Sequence, residues 1–297
     1  MIQSRRYEYL VQHTPQREWI EKRGILMWLA MFFIELGAGA FMVSSFFGNF
    51  PGMLLGWLLC GVLGGGFHLV YLGHPVRFWR MVLSSGWKTS WISRGLIFVV
   101  LFLGLGLLHM ALLQLAVPVP GILIAADVFA FLTIIYVGFV MASVSGIPLW
   151  NTALLPVLYL ILGSWGGLGL TLLTLLASGA TTEAVTVEEW SRIFLLAFVF
   201  IVFVYLFSTR YQGATGKASV RAIVAGKLSP LFWTVVAFLG TALPVGVALA
   251  TWILGWSIPG ALVFVLIVFE LLGDLTLRYC ILRAGLYAPL IPGTSYG

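Results

Sequence analysis

The chain has 297 residues, 61% of them hydrophobic and only 9% charged, with a mean hydropathy of +1.07 and a net charge of +6. A soluble domain carries about 25% charged residues, so the composition excludes a water-facing globule with an ordinary surface. Its 34 glycines and 15% aromatic residues suit membrane helices, which pack through small residues and place aromatic rings at the interface. We therefore predict an all-α integral membrane protein folded as a helical bundle.

Eight apolar stretches follow one another along the sequence, each longer than the roughly 20 residues needed to cross the hydrocarbon. We place these stretches at 24–47, 51–74, 91–116, 120–146, 151–178, 190–210, 229–255 and 257–283. Most breaks between them carry Gly and Pro and predict tight turns, whereas 75–90 and 211–228 are predicted to be long loops. The organisation is thus an N-terminal tail (1–23), an eight-helix domain (24–283) and a C-terminal tail (284–297). The N-terminal tail lacks the apolar core of a signal peptide, so we expect the first stretch to remain as a membrane helix.

The basic residues are distributed unevenly between the two sides of the membrane. With eight crossings, all but one of the 16 lysines and arginines lie on the side of the termini, and the exception is Arg192. The positive-inside rule assigns the basic side to the cytoplasm and predicts a multi-pass protein of the cell inner membrane with cytoplasmic termini. The alternative is that this basic face docks a protein partner and does not report topology.

Histidine and cysteine are too scattered along the sequence to bind a redox cofactor. A transmembrane haem needs two axial ligands at one depth, but His68 and His109 lie about 9 and 27 Å from the basic side at a rise of 1.5 Å per residue. Cys60 and Cys280 lie in different stretches, which leaves no ligand set for zinc or an iron–sulfur cluster. We predict that this chain itself holds no haem, no metal site and no iron–sulfur cluster.

Ionisable residues inside the apolar stretches are few, and each is a functional candidate because a charge in hydrocarbon is costly. Glu270, Asp274 and Arg278 are spaced four apart and share one face of the last stretch. The Asp274–Arg278 pair either takes part in proton transfer or only fixes this helix to a neighbour. Glu35, near the middle of the first stretch, is either functional or a hydrogen-bonded polar group between helices.

A second pair of candidates lies in the third and fourth stretches. His109 and Asp127 come out at similar depth, about 10 Å from the side opposite the termini. We predict a carboxylate–imidazole pair that relays protons; a static pair or two unrelated groups is the alternative. Together with Glu270 and Asp274, these two residues form the candidate proton-transfer set.

Four segments of the sequence carry a family resemblance. They are LGHPVRFWR at 72–80, TSWISRG at 89–95, GIPLWNT at 146–152 followed by LP at 155–156, and LRYCILRAG at 277–285. In combination they resemble the polysulfide reductase/NrfD family of quinone-interacting membrane subunits over most of the chain. The resemblance implies an eight-helix anchor that exchanges electrons between menaquinone or ubiquinone and a ferredoxin-like iron–sulfur subunit, which serves a molybdopterin catalytic subunit.

The resemblance also implies where the quinone binds. Relatives use a tyrosine upstream of the Pro-Leu-Trp-Asn turn, and Tyr136 occupies that place. Relatives also use polar groups early in the first helix, but 24–31 has no Asn or His, so Glu35 and His68 are our candidates for the second carbonyl. Arg94 either stabilises negative charge near the quinone or is a plain interfacial basic residue.

The partner subunit is expected to dock on the basic face, where the predicted loop 75–90 lies. The candidate docking residues are His74, Arg77, Arg80, Trp150 and Asn151. For Trp150, anchoring at the membrane interface is the alternative role. On this interpretation the chain is the quinone-site subunit, or a non-catalytic subunit, of a respiratory oxidoreductase complex.

Two other functions compete with this interpretation. A secondary transporter or ion-translocating protein would also carry buried carboxylates and glycine-broken helices. A passive membrane anchor would have the same fold and no quinone site. The motif combination and the lack of an obvious inverted repeat favour the quinone-reactive subunit over the transporter.

Overall fold

In the part of the chain that the structure describes, the fold is built from eight long helices, one shorter α-helix and a single turn of 3-10 helix at Ser85–Lys88. The computed structural model describes residues 13–74, 77, 80, 85–255 and 259–289. The helices in sequence order are α1 (Gly24–Phe46), α2 (Phe50–Leu72), α3 (Trp91–Gln114), α4 (Pro120–Ala142), α5 (Leu154–Ser178), α6 (Thr181–Arg210), α7 (Gly213–Val224), α8 (Ser229–Leu231, Phe232–Ala242 and Leu243–Leu254 in continuous succession) and α9 (Gly260–Arg283). All except α7 are long and apolar enough to cross a membrane, which confirms the prediction of an all-α bundle with eight membrane helices.

The largest departures from the predicted elements concern the sixth helix and the segment after it. The helix α6 begins at Thr181 rather than at 190, because its first turns are partly polar and extend beyond the apolar stretch that the hydropathy pattern detects. Glu183 lies in its first turn, where the helix dipole favours a negative charge. The predicted loop 211–228 contains α7, which buries Val220 and Ile223 and exposes Arg221. A 12-residue amphipathic helix is too short to appear as a membrane span in a hydropathy profile.

The central helix is α1, which packs against α2, α4, α5 and α9. Small residues make this possible, because a side chain would hold the neighbouring backbones apart. A Cβ atom added at Gly39 would overlap the carbonyl of Gly163 on α5, and one added at Gly37 would overlap the backbone of α2 at Cys60. The close packing of α1 with two neighbours therefore rests on glycine at these positions.

Two of the membrane helices contain π-helical segments. Leu59–Gly64 interrupts α2, and Phe232–Ala242 forms much of α8. Such segments widen a helix locally and occur often at functional sites. Each of these segments contributes residues to the wall of a hollow in the molecule.

The two tails meet on the side where α1 begins and α9 ends, here called the terminal side. A short strand β1 (Thr14–Pro15) pairs antiparallel with β2 (Leu286–Tyr287), and the amide of Gln16 donates to the carbonyl of Gly285 at 2.8 Å. Glu21 forms an ion pair with Arg283. This pairing holds both ends of the helical domain on one side, as an even number of crossings requires. Residues 1–12 and 290–297 of the predicted tails lie outside the described residues.

Candidate functional site

An apolar cavity of about 250 Å³ lies between α1, α2, α3 and α4. It is lined by Met27, Met31, Ile34, Gly61, Gly65, His68, Leu69, Ile92, Leu96, Val99, Val100, Leu103, Tyr136, Val137 and Val140. Val100 is exposed on the outer surface of the bundle, so the cavity reaches the lipid-facing side. We call it the Tyr136 cavity. Tyr136 and His68 are the two lining residues whose side chains offer polar atoms, and both are sequence candidates for quinone binding.

The Tyr136 ring is positioned by a glycine on the neighbouring helix. A Cβ atom added at Gly95 of α3 would overlap the Cδ2 and Cε2 atoms of Tyr136. The absence of a side chain there lets the ring lie directly against α3. Within the part of the protein that the structure describes, no protein group accepts or donates a hydrogen bond at the Tyr136 hydroxyl. The hydroxyl is thus available to a molecule in the cavity. Gly95 was not predicted as a site residue, although it lies within the TSWISRG segment.

A cluster of buried charges lies between α1 and α9. The Arg278 guanidinium contacts Glu35 Oε2 at 2.5 Å through Nη1, and Asp274 Oδ1 at 2.6 Å through Nε. The guanidinium carbon lies 4.7 Å from the centre of the Tyr159 ring on α5, a cation–π distance. We call Glu35, Asp274 and Arg278 the ionic cluster. The predicted Asp274–Arg278 pair exists, and Glu35 joins it from across the bundle.

The ionic cluster contains more negative than positive groups. Two carboxylates face one guanidinium, so the fully ionised cluster carries one net negative charge. The second oxygen of Glu35, Oε1, is buried and has no hydrogen-bond partner among the described residues. A buried charge without a partner costs several kcal/mol, which favours a bound proton in a cluster of this composition. Glu35 does not line the Tyr136 cavity, although its neighbour Ile34 does.

The predicted pairing of His109 with Asp127 was wrong. The Ser45 hydroxyl on α1 donates to both carboxylate oxygens of Asp127, at 3.0 and 2.9 Å. His109 is buried in α3, and its Nδ1 has no partner in the described part of the protein. The two residues have similar depth, but Asp127 interacts with α1 and not with α3. Depth can be counted along a helix, whereas the direction that a side chain faces depends on which neighbour packs there.

Glu270 borders a second, smaller cavity of about 60 Å³ between α5, α6, α8 and α9. Glu188 and Arg192 of α6 also line it, and they pair with each other at 2.5 Å. This pair lies near the start of α6, on the side opposite the termini. The volume is sufficient for a water molecule, since about 10–15 Å³ holds one. We call this the Glu270 cavity. Glu270 was a candidate from the sequence, whereas its proximity to Glu188 was not predicted.

Arg94 lies at the start of α3, outside the set of residues that line the Tyr136 cavity. It donates from Nε to the carbonyl of Trp87 at 2.8 Å and from Nη2 to that of Lys88 at 2.6 Å. Its guanidinium also stacks on Trp91, 4.8 Å from the ring centre. The observed contacts of Arg94 therefore hold the turn that precedes α3.

The predicted docking residues divide into exposed and buried ones. His74, Arg77, Arg80 and Asn151 are exposed on the terminal side. Trp150 is only 1% exposed, and its indole N–H donates to the carbonyl of Ile281 at 2.9 Å. Direct contact of Trp150 with a partner is therefore ruled out, and this part of the docking prediction was wrong. Its ring packs against Trp19, with the ring centres 5.3 Å apart, and so holds the N-terminal tail to the bundle. Positions 75, 76, 78, 79 and 81–84 of the predicted loop lie outside the described residues.

The fold and these sites together define a multi-pass membrane protein with a lipid-accessible apolar cavity and a buried ionic cluster. In the described residues, no three His, Cys, Asp or Glu side chains are grouped as metal ligands would be. The chain matches the family model described as "Polysulphide reductase, NrfD" over residues 12–289, and it therefore belongs to that family. This confirms the resemblance found in the sequence.

One curated relative is a subunit of the polysulfide reductase of Wolinella succinogenes. It is 34% identical to the present protein over 157 residues, which cover 50% of this protein and 49% of the relative. The match thus spans about half the length of this relative. By its name, the relative is one polypeptide of a polysulfide reductase.

Proposed function

We propose that this chain is the quinone- or quinol-reactive membrane subunit of a multisubunit oxidoreductase. It exchanges electrons between the quinone pool and an iron–sulfur partner subunit, which serves a molybdopterin catalytic subunit. The observation that supports this function best is the Tyr136 cavity, which combines apolar walls, access from the lipid side and two polar side chains. Membership of the polysulphide reductase family supports the redox assignment.

The residues that line the Tyr136 cavity suit a quinone ring. Ligand pockets of this kind are mostly apolar, with a few polar groups that orient the ligand. When bound, a quinone supplies two-electron, two-proton redox chemistry. Tyr136 would donate a hydrogen bond to a carbonyl oxygen, and His68 would hold or release a proton at the other. The cavity is somewhat smaller than the about 300–1,000 Å³ of typical ligand pockets, which suits a ring whose apolar tail extends into lipid.

The ionic cluster and Glu270 are proposed as the proton-transfer groups of this subunit. The cluster is neutral when it holds one proton, and its member Glu35 follows Ile34, a wall residue of the Tyr136 cavity, in the sequence. Glu270 lies one turn from Asp274 on the same face of α9, and the Glu270 cavity extends towards the side opposite the termini. Asp127 and His109 stay candidates only as separate groups, because they do not pair.

The partner subunit would dock on the terminal side, which is proposed to face the cytoplasm. His74, Arg77, Arg80 and Asn151 are exposed there. A surface of this charge suits an acidic partner, because complementary charge steers association. His68, which lines the Tyr136 cavity, lies one turn from the end of α2 on the terminal side. The cavity is therefore near this face, and a short distance between them would serve electron transfer.

The test of this function is Tyr136→Phe in the intact complex. Loss of a hydrogen bond worth about 1.4 kcal/mol in the reacting state lowers quinone-linked turnover about tenfold. The matched control is Tyr279→Phe, because Tyr279 packs against Trp28 and does not line the cavity. Unchanged turnover and unchanged binding of a quinone-site inhibitor in Tyr136→Phe would show that the site assignment is wrong. Absence of quinone from lipid extracts of the purified complex would favour a passive anchor.

Ion or proton translocation without redox chemistry is the second candidate function. The buried ionic cluster and Glu270 favour it, because such residues mark ion pathways in membrane proteins. Ion or substrate uptake by the isolated subunit in proteoliposomes, without any redox partner, would support this function. The quinone-reactive subunit predicts no such uptake.

A further inference from the structure

A third hollow lies on the outer face of the bundle between α6, α7 and α8. It has a volume of about 380 Å³ and shares no lining residue with the Tyr136 cavity. Its walls include Phe198, Phe203, Phe207, Val220, Phe232 and Val236. We call it the α6–α8 groove. Nothing in the proposed quinone chemistry uses it.

The groove has the length of one membrane leaflet. Along α6 its lining runs from Phe198 to Arg210, which at 1.5 Å per residue is about 18 Å. One leaflet of the hydrocarbon core is about 15 Å thick, half of the whole core. The groove therefore extends from the interface on the terminal side to about the middle of the membrane.

The two ends of the groove differ in charge. The deep end is apolar, whereas Arg210 stands at the end near the interface and is exposed. In the ranges that the structure covers, Arg210 forms no ion pair. Trp233 lies beside this end, and its N–H donates to the carbonyl of Val224 at 2.9 Å. Its indole nitrogen is thus satisfied, and its ring forms a wall at the depth where tryptophan is usual.

The wall contributed by α8 is π-helical. Phe232, Val236 and Thr241 line the groove at spacings of four and five residues, which a helix with hydrogen bonds from i to i+5 brings to one face. The Thr241 hydroxyl donates to the carbonyl of Val236 at 2.8 Å, so its polar atom is satisfied within the helix. A helix that departs from α-geometry in this way shapes a continuous apolar surface along the groove.

We infer that the α6–α8 groove binds one phospholipid with an anionic headgroup. An acyl tail lies between α6 and α8, and the headgroup phosphate lies at Arg210. Length, apolar lining and a single cation at the interface together match this ligand. A neutral quinone would match the lining and leave Arg210 without a counterion. Basic pockets between membrane helices bind anionic headgroups in the same way.

The test uses the full-length protein purified in detergent and titrated with phosphatidylglycerol or phosphatidylcholine, with native mass spectrometry as the readout. We expect one phosphatidylglycerol to bind about fivefold more tightly than phosphatidylcholine, which corresponds to one basic residue at the membrane surface. Arg210→Gln removes this preference. Ala237→Phe fills the groove and lowers the binding of both lipids.

Two matched variants serve as controls. Arg221→Gln removes the same charge from α7 at a position that does not line the groove, and Ala261→Phe adds the same ring at an exposed position on α9. Both are expected to bind phosphatidylglycerol as the unchanged protein does. Equal affinity of the unchanged protein for the two lipids overturns the inference. An equal loss of the preference for phosphatidylglycerol in Arg221→Gln and Arg210→Gln also overturns it. Displacement of the lipid by added quinone, or coverage of the groove by another polypeptide in the complex, overturns it as well.

Discussion

Arg278 is the residue on which the buried charges of this protein converge. It contacts Glu35 and Asp274 and lies over Tyr159, so residues on three helices depend on one guanidinium. A buried ion pair contributes little net stability when intact, but removal of one partner leaves an uncompensated charge in a medium that solvates it poorly. Removal of the one cation is therefore expected to destabilise the protein more than removal of one of the two carboxylates.

Replacement of Arg278 by Gln is expected to destabilise the protein strongly. It leaves two buried carboxylates without a cation, a change that costs about 3–5 kcal/mol in comparable buried pairs. Glu35→Gln has a smaller effect, because the neutral Asp274–Arg278 pair remains. The measurement is the Tm of each variant in detergent. Arg192→Gln is the control, because it breaks a half-exposed pair worth about 0–1 kcal/mol. Equal decreases in Tm for Arg278→Gln and Arg192→Gln would contradict the central role of Arg278 in the ionic cluster.

The sequence predicted each of these charges but only part of their arrangement. The spacing of four between Asp274 and Arg278 is visible in the sequence, whereas the contact with Glu35 joins helices far apart in the sequence. Helix geometry explains how that contact arises. Side chains on a helix lean towards its N-terminus, and α1 and α9 cross the membrane in opposite directions. Arg278 therefore leans towards the membrane centre and meets Glu35.

At the scale of helices, the approach of α3 to α4 sets the position of Tyr136. Gly95 provides the space into which the Tyr136 ring fits. Gly104, on the same helix, has open space around the position of a Cβ atom. The two glycines thus offer a matched pair of sites, one that positions the candidate quinone ligand and one that does not.

We expect Gly95→Ala to impair the quinone site and Gly104→Ala to leave it intact. The added methyl group at position 95 moves the Tyr136 ring, and a displacement of about 1 Å in a reacting site can cost a hundredfold in rate. Quinone-linked turnover and inhibitor affinity in the intact complex, together with Tm, provide the measurement. Gly104→Ala should raise helix stability slightly, because alanine is favoured over glycine by about 0.5–1 kcal/mol inside a helix. Normal turnover in Gly95→Ala would show that Tyr136 tolerates displacement or does not contact the quinone.

The helices themselves were predicted well because length and hydropathy suffice to define a membrane span. Two of the parts that were missed lie where the polypeptide leaves the hydrocarbon. The first turns of α6 lie beyond the apolar stretch, and α7 has too few apolar residues to be detected by the same criterion. The π-helical segment Phe232–Ala242 was also missed, because its composition is that of an ordinary membrane helix.

At the scale of the whole molecule, the tails connect the first and last helices on the terminal side. The β1–β2 pair and the Glu21–Arg283 ion pair join the N-terminal tail to the end of α9. Trp150 extends this connection to the segment before α5 through its contacts with Trp19 and Ile281. Trp150 was predicted to dock a partner. Its burial could not be foreseen, because the sequence of a loop motif does not show whether an aromatic residue in it is buried.

This connection is expected to weaken in acid. The Arg283 guanidinium beside Glu21 holds the pKa of that carboxyl below its ordinary value. A carboxyl with a lowered pKa stabilises the folded state above its unfolded value of about 4.3, and the contribution is lost as the pH falls through the folded value. Hydrogen exchange of residues 13–23 should therefore be slower in the unchanged protein than in Glu21→Gln at pH 7. The difference should begin to shrink below the unfolded pKa of about 4.3 and disappear only when the pH is below the lowered pKa of Glu21 in the folded protein. Glu18→Gln, at an exposed neighbouring position, is the control and should exchange as the unchanged protein does at both pH values. A difference between Glu21→Gln and the unchanged protein that persists in acid would mean that the ion pair with Arg283 does not hold the N-terminal tail.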